Sequence, residues 1–121
     1  DTLAPVAVVP RTAAADSQAT AAAARADSTR LADLLAVAEI YRSKLVQPDS
    51  AIHYYGKIAE RFPTSPQMPR VLYSLAWIER EMKEDEAGAG PYLERLITDY
   101  PLTEHANAAR RLLDQWPQSS Q

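Results

Sequence analysis

The sequence predicts an all-α fold: a short right-handed α-solenoid of two helical hairpins and a closing C-terminal helix, preceded by an extended arm and an alanine-rich helical segment. Two observations support this prediction. Apolar residues recur at the 3.6-residue spacing of a helix in five successive segments from residue 31 onward. The chain also resembles itself at a fixed offset of 38 residues. One helical hairpin cannot bury its own apolar stripe, so neighbouring hairpins stack into a continuous core.

The two similar parts of the chain align with each other without an insertion or a deletion. Between residues 28–65 and residues 66–103, seven residues recur unchanged 38 positions later: Leu34 as Leu72, Ala38 as Ala76, Ile40 as Ile78, Arg42 as Arg80, Ala51 as Ala89, Tyr54 as Tyr92 and Pro63 as Pro101. A fixed period of this length is the sequence signature of a helical repeat protein.

The first 11 residues are predicted to form an extended arm. Pro5 and Pro10 enclose an apolar stretch that includes Val8 and Val9, and proline favours extended backbone at and before its position. The arm is too short to fold alone, so we expect it to lie across a partner protein and to become ordered on contact. Val8 and Val9 are its candidate partner-binding residues.

The alanine-rich segment, residues 12–27, contains neither glycine nor proline, so its local propensity favours helix. Two interpretations stay open. In the first, one long helix continues to about residue 46. In the second, Ser28 or Thr29 caps a new helix, and the alanine-rich part is a separate helix or a linker.

The folded domain is predicted to span residues 28–116 and to be followed by a polar tail, residues 117–121. It divides into two repeats and a closing helix, at about residues 28–65, 66–103 and 103–116. Pro63 and Pro101 end the second helix of each repeat, because proline cannot continue a helix. Residues 83–90 are polar and include two glycines, which predicts a loop.

Each repeat has a small residue in its first helix, a second small residue early in the next helix, tyrosine after it and a closing proline. This pattern resembles tetratricopeptide repeats over roughly residues 30–116. Four shorter phrases are similar to the repeats of bacterial cell-envelope proteins, namely the outer-membrane-assembly lipoproteins and the coordinator proteins of the Tol-Pal system. These phrases are residues 48–52, 61–65, 72–78 and 99–103.

The resemblance implies a concave surface lined by the first helix of each repeat. Carried over residue by residue, it gives seven candidate groove residues for binding a partner: Glu39, Arg42, Arg70, Tyr73, Trp77, Arg80 and Arg111. Tryptophan, tyrosine and arginine dominate the energetics of protein interfaces. Two alternatives stay open, since Tyr73 and Trp77 also suit packing between repeats and the arginines also suit a solvated helix face.

Composition argues against several other classes of function. The net charge is −3, and no stretch rich in lysine and arginine is interleaved with aromatic residues, so no nucleic-acid partner is expected. No apolar run approaches the length of a bilayer span. His53 is interpreted as a surface or packing histidine and His105, which follows Glu104, as ordinary helix-start polarity, and no nucleophile motif or phosphate-binding loop is present. We therefore expect no catalytic residue, no metal and no cofactor.

The function expected from these observations is a non-catalytic protein–protein interaction module. Its partner would be another protein or a protein complex, membrane-embedded in one version of the hypothesis. The resemblance implies an accessory or scaffold subunit of a bacterial envelope or membrane-associated complex, soluble or peripheral, in the periplasm or cell envelope. One alternative is the C-terminal fragment of a larger outer-membrane-assembly lipoprotein, and another is an enzyme.

Overall fold

The computed structural model describes residues 13–115, with side chains from residue 17 onward, and this part of the chain contains helices and turns but no β-strand. The elements are α1 (Ala13–Ser43), α2 (Pro48–Arg61), α3 (Met68–Trp77), a π-helical turn (Ile78–Met82), α4 (Glu86–Asp99) and α5 (Glu104–Asp114). The all-α prediction is confirmed. The predicted arm, with Val8 and Val9, and the polar tail lie outside the described residues.

The chain divides into two compact units, Asp1–Ala32 and Asp33–Gln121. In the first unit the described residues belong to α1, and side chains 17–30 are exposed to solvent. Because α1 is a single helix to Ser43, the structure has the first of the two arrangements considered for the alanine-rich segment. No new helix begins at Ser28.

The second unit is a stack of consecutive helices. The π-helical turn continues α3, and both pack against α2 on the chain before them and α4 after them. Helix α5 packs against α4 and also against α3, as the first helix of a further repeat would. The largest fully buried side chains of this core are Tyr55, Ile58, Met68, Val71, Leu72, Leu75, Ile78, Leu93 and Leu96.

Alanine occupies equivalent buried positions in the helices of both hairpins. Ala38 and Ala51 in the first hairpin are 0% exposed, and Ala76 and Ala89 in the second are 1% and 0% exposed. A small side chain at such positions lets two helix backbones approach without a void between them. The predicted small-residue positions are therefore part of the core in both hairpins.

The turn that follows each hairpin repeats in atomic detail. Phe62 and Tyr100 end α2 and α4 with φ/ψ values of −129°/53° and −132°/52°. The Phe62 N–H donates to the Ile58 carbonyl (2.8 Å), and the Tyr100 N–H donates to the Leu96 carbonyl (2.9 Å). The 38-residue period seen in the sequence is thus also a period of the backbone.

The turn inside each hairpin repeats in the same way. The Leu45 N–H donates to the Ile40 carbonyl (2.9 Å), and the Lys83 N–H donates to the Ile78 carbonyl (3.0 Å). Both bonds join residues five apart, which is the π-helical spacing. The next residue in each hairpin adopts a left-handed backbone: φ is 51° at Val46 and 55° at Glu84.

The prediction of a loop over residues 83–90 is wrong for its second half, because α4 begins at Glu86. The Asp85 side chain caps this helix by accepting a hydrogen bond from the Gly88 N–H (3.0 Å), which satisfies one of the free first-turn donors. Glycine fits there for a steric reason, since a Cβ at Gly88 would lie 2.6 Å from an Asp85 carboxylate oxygen. Pro91 is accommodated inside the helix.

Val46 provides a stability test of the hairpin turn. Left-handed backbone costs an L-residue about 1–2 kcal/mol, and the cost is greatest for β-branched side chains. We therefore expect Val46→Gly to raise the free energy of unfolding by about 1 kcal/mol in urea denaturation, after the added flexibility of the unfolded glycine is subtracted. Val46→Ala is the matched control, because it removes the side-chain branches but keeps the Cβ. A Val46→Gly protein less stable than wild type would show that this turn is not strained.

Candidate functional site

Five of the seven predicted groove residues line one groove on the second unit, which we call the Trp77 groove. Its volume is about 360 Å³. Helices α1, α3 and α5 supply its walls, as expected for the first helix of each repeat. The lining residues are Glu39, Arg42, Arg70, Tyr73, Ser74, Trp77 and His105.

Glu39 lies at the centre of the polar contacts in the Trp77 groove. Its Oε1 accepts a hydrogen bond from Arg42 Nη2 (2.5 Å). Its Oε2 accepts a hydrogen bond from the Tyr55 hydroxyl and lies 3.5 Å from Arg70 Nη2. Tyr55 is fully buried, so its hydroxyl links a groove carboxylate to the core.

The surroundings of Glu39 favour its ionised form. Partial burial raises the pKa of the Glu39 carboxyl, but hydrogen bonds from Tyr55 and Arg42 and the charges of Arg42 and Arg70 lower it by more. The resulting pKa lies below its ordinary value of 4.5. Glu39 is therefore a carboxylate at neutral pH and holds both arginine side chains beside the groove.

Trp77 gives the Trp77 groove its largest exposed aromatic surface. The guanidinium carbon of Arg42 lies 5.4 Å from the ring centroid of Trp77, within the range of a cation–π interaction. Trp77 remains 37% exposed. The structure therefore places Trp77 at the surface, with Arg42 against its ring.

The second aromatic pair of the Trp77 groove is Tyr73 and His105, whose ring centroids are 6.0 Å apart. His105, Ser74 and the Tyr55 hydroxyl were not among the sequence candidates. His105 lies in the first turn of α5, where the sequence predicts only ordinary helix-start polarity. Helix α5 takes the place of the first helix of a third repeat. That position could have identified His105, because the first helix of each repeat lines the concave surface.

Arg80 does not join the Trp77 groove, although it repeats Arg42. The residue three positions before Arg42 is Glu39, whereas the residue three positions before Arg80 is Trp77. Arg80 therefore has no carboxylate at that position. Its Nη1 lies 3.1 Å from Glu81 Oε2, and its Nε lies 4.0 Å from Glu86 Oε2.

Arg111 also lies outside the Trp77 groove. It lines a neighbouring depression on α5, which shares only His105 with the Trp77 groove. A role for Arg80 and Arg111 in partner binding stays a prediction.

These features define an all-helical repeat protein with a polar and aromatic groove. Residues 70–103 match the family model described as tetratricopeptide repeat. The match covers most of α3, the π-helical turn, α4 and the turn after it, so the second hairpin is a tetratricopeptide repeat. It does not distinguish the bacterial-envelope proteins among tetratricopeptide-repeat proteins. No curated protein and no solved structure shows significant similarity to the chain.

The helices of the described residues were also compared with the requirements of a membrane span. None of them combines the length and the apolar character needed to cross a bilayer.

Glu39 allows a pH-dependent test of the polar contacts in the Trp77 groove. Because its folded-state pKa is lowered, its ionised form stabilises the fold above pH 4.5, and this contribution is lost as the pH falls through the folded-state pKa. We expect Glu39→Gln to lower the free energy of unfolding at pH 7 by about 1–2 kcal/mol. The difference between wild type and variant should shrink as the pH falls below 4.5.

Chemical denaturation at a series of pH values measures this difference. Glu60→Gln is the matched control, because Glu60 is an exposed glutamate of α2. A Glu39→Gln effect that is constant from pH 7 to pH 3 would contradict the role given to the ionised carboxylate.

Proposed function

We propose that this chain is a non-catalytic protein–protein interaction module that holds a segment of a partner protein in the Trp77 groove. The observation that carries the proposal is the convergence of Glu39, Arg42, Arg70, Tyr73 and Trp77 on one groove. The tetratricopeptide-repeat match at residues 70–103 supports the same class of function, because such repeats typically bind proteins.

The side chains of the Trp77 groove offer two kinds of contact to an extended segment. Trp77 and Tyr73 provide aromatic surface at a low cost in side-chain entropy, as is typical of interface hot spots. Arg70 is 46% exposed, and its nearest carboxylate in the described structure is at 3.5 Å, so its guanidinium has donors available for a carbonyl or carboxylate of the partner. The two contacts together would fix both the position and the orientation of the bound segment.

The biological setting is the second part of the proposal. The resemblance of four sequence phrases to bacterial envelope proteins supports an accessory or scaffold subunit of an envelope or membrane-associated complex, with a membrane-embedded protein as a candidate partner. An upstream lipoprotein signal in the gene would favour the alternative of a fragment of a larger assembly lipoprotein.

Trp77 provides the direct test of the Trp77 groove. We expect Trp77→Ala to weaken partner binding by about 30-fold, as for an interface hot spot of about 2 kcal/mol. The loss of melting temperature should be small, because the Trp77 side chain is partly exposed. Affinity capture from a native bacterial membrane fraction identifies the partner, and titration of the purified partner then measures the change in affinity.

Leu102→Ala is the matched control for this experiment, because Leu102 is an apolar residue that is 98% exposed and lies outside the Trp77 groove. Unchanged affinity together with a large loss of stability in Trp77→Ala would make Trp77 a packing residue and would remove the groove from the proposal.

The arm is a second candidate contact. We expect deletion of residues 1–11 to leave the helix content unchanged in circular dichroism, since α1 begins at Ala13. Capture of the partner should decrease, because the apolar Val8 and Val9 would no longer contact it. If the shortened chain captures its partner as well as the full chain does, the arm has no part in binding.

A further inference from the structure

The outer face of α1 differs from the equivalent face one repeat later. Asp33, Val37, Ile40 and Lys44 follow one another at helical spacing, and the Lys44 N–H still donates to the Ile40 carbonyl (2.9 Å), so Lys44 continues the helix. We call this set the 33/44 face. The residues 38 positions later are Val71, Leu75, Ile78 and Met82.

Three of these equivalent residues belong to the buried core of the second hairpin. Val71 and Ile78 are 0% exposed and Leu75 is 2% exposed, and their helix packs against α2 and α4. In the first hairpin, by contrast, Ile40 is 44% exposed and Val37 is half-buried. The 33/44 face therefore corresponds to a face that is buried in the second hairpin, but it remains partly open.

Among residues 17–115, whose side chains the structure describes, the segment that precedes the 33/44 face lacks the apolar residues of α2. By the 38-residue offset, residues 10–23 would correspond to α2. Ser17 and Thr20 then occupy the positions of Tyr55 and Ile58, both of which are fully buried in α2. A segment with polar residues at these positions lacks the apolar stripe that this packing requires.

The charges of the 33/44 face indicate what covers it. The midpoint of the face lies between Ala38 and Glu39. Asp33 and Lys44 are equally far from this midpoint along the sequence, and so are Val37 and Ile40. If two such faces meet antiparallel, Asp33 of each copy lies opposite Lys44 of the other, and Val37 lies opposite Ile40. The side chains of Asp33 and Lys44 are exposed. Neither residue takes part in the ion pairs found among residues 13–115.

We propose that the 33/44 face is the contact between two copies of this chain, whose α1 helices pack antiparallel across a two-fold axis. A two-fold contact must be self-complementary. The 33/44 face has this property for its apolar residues and for its charged residues. Two Val37–Ile40 contacts form its centre, and two Asp33–Lys44 ion pairs flank them.

The 33/44 face does not include the α1 residues that line the Trp77 groove. Glu39 and Arg42 line the groove, whereas Val37 and Ile40 project from a different side of the helix because of its 3.6-residue period. Dimerisation and groove binding can therefore be tested separately. Trp77→Ala should leave dimerisation unchanged.

Charge reversal tests the proposal with the full chain. Sedimentation velocity over a range of concentrations should show a wild-type dimer that dissociates on dilution, because the apolar part of the contact is small. Asp33→Lys puts a lysine opposite Lys44 at both ends of the contact. Lys44→Asp puts an aspartate opposite Asp33 at both ends. Each variant should dimerise at least about tenfold more weakly than wild type.

Restored complementarity provides the decisive arm of the experiment. The double variant Asp33→Lys/Lys44→Asp should dimerise as wild type does. An equimolar mixture of the two single variants should form a heterodimer, because each lysine then meets an aspartate. Glu94→Lys is the control for a charge reversal on another exposed helix face, and circular dichroism checks that every variant is folded.

An apolar substitution separates the centre of the 33/44 face from its charges. Ile40→Lys should abolish dimerisation, whereas Leu102→Lys, on a residue that is 98% exposed, should leave it unchanged. A wild-type chain that stays monomeric at every concentration would overturn the proposal, and the 33/44 face would then be a solvated end of the stack. A dimer that Asp33→Lys and Ile40→Lys leave intact would overturn it as well.

Discussion

The structure depends first on how closely the helices of each hairpin approach one another. Four alanines at equivalent positions of the two hairpins, Ala38, Ala51, Ala76 and Ala89, are almost completely excluded from solvent. A larger side chain at any of them would separate two helices and lose contacts along their whole length, because protein interiors are close-packed. The walls of the Trp77 groove come from helices positioned in this way, so its geometry follows from the same packing.

Most of the fold could be predicted because its determinants recur along the chain. The apolar spacing identified the helices of both hairpins, and Pro63 and Pro101 marked equivalent turns whose backbone angles agree within a few degrees. The start of α4 could not be predicted from composition. Glycine and proline normally argue for a loop, but the hydrogen bond from the Gly88 N–H to Asp85 caps a helix instead.

The candidate site was less predictable, because its contacts cross between helices. The resemblance to tetratricopeptide repeats implied seven groove residues, and five of them line the Trp77 groove. It could not distinguish Arg42 from Arg80, which hold the same repeat position but have different neighbours three residues earlier, Glu39 and Trp77. It also could not reveal that Tyr55, a core residue by its spacing, extends its hydroxyl to Glu39.

Because the Tyr55 hydroxyl bonds to Glu39, the residues of the Trp77 groove fall into two classes: those tied to the core and those that are not. Glu39 is joined to the buried Tyr55, so a change at Glu39 leaves a core hydroxyl without its acceptor and alters stability together with the groove. Trp77 contacts Arg42 through the face of its ring and makes no buried polar bond among the described contacts. The Trp77 ring can therefore be altered with less effect on the fold than Glu39, whose carboxylate accepts a hydrogen bond from the buried Tyr55 hydroxyl.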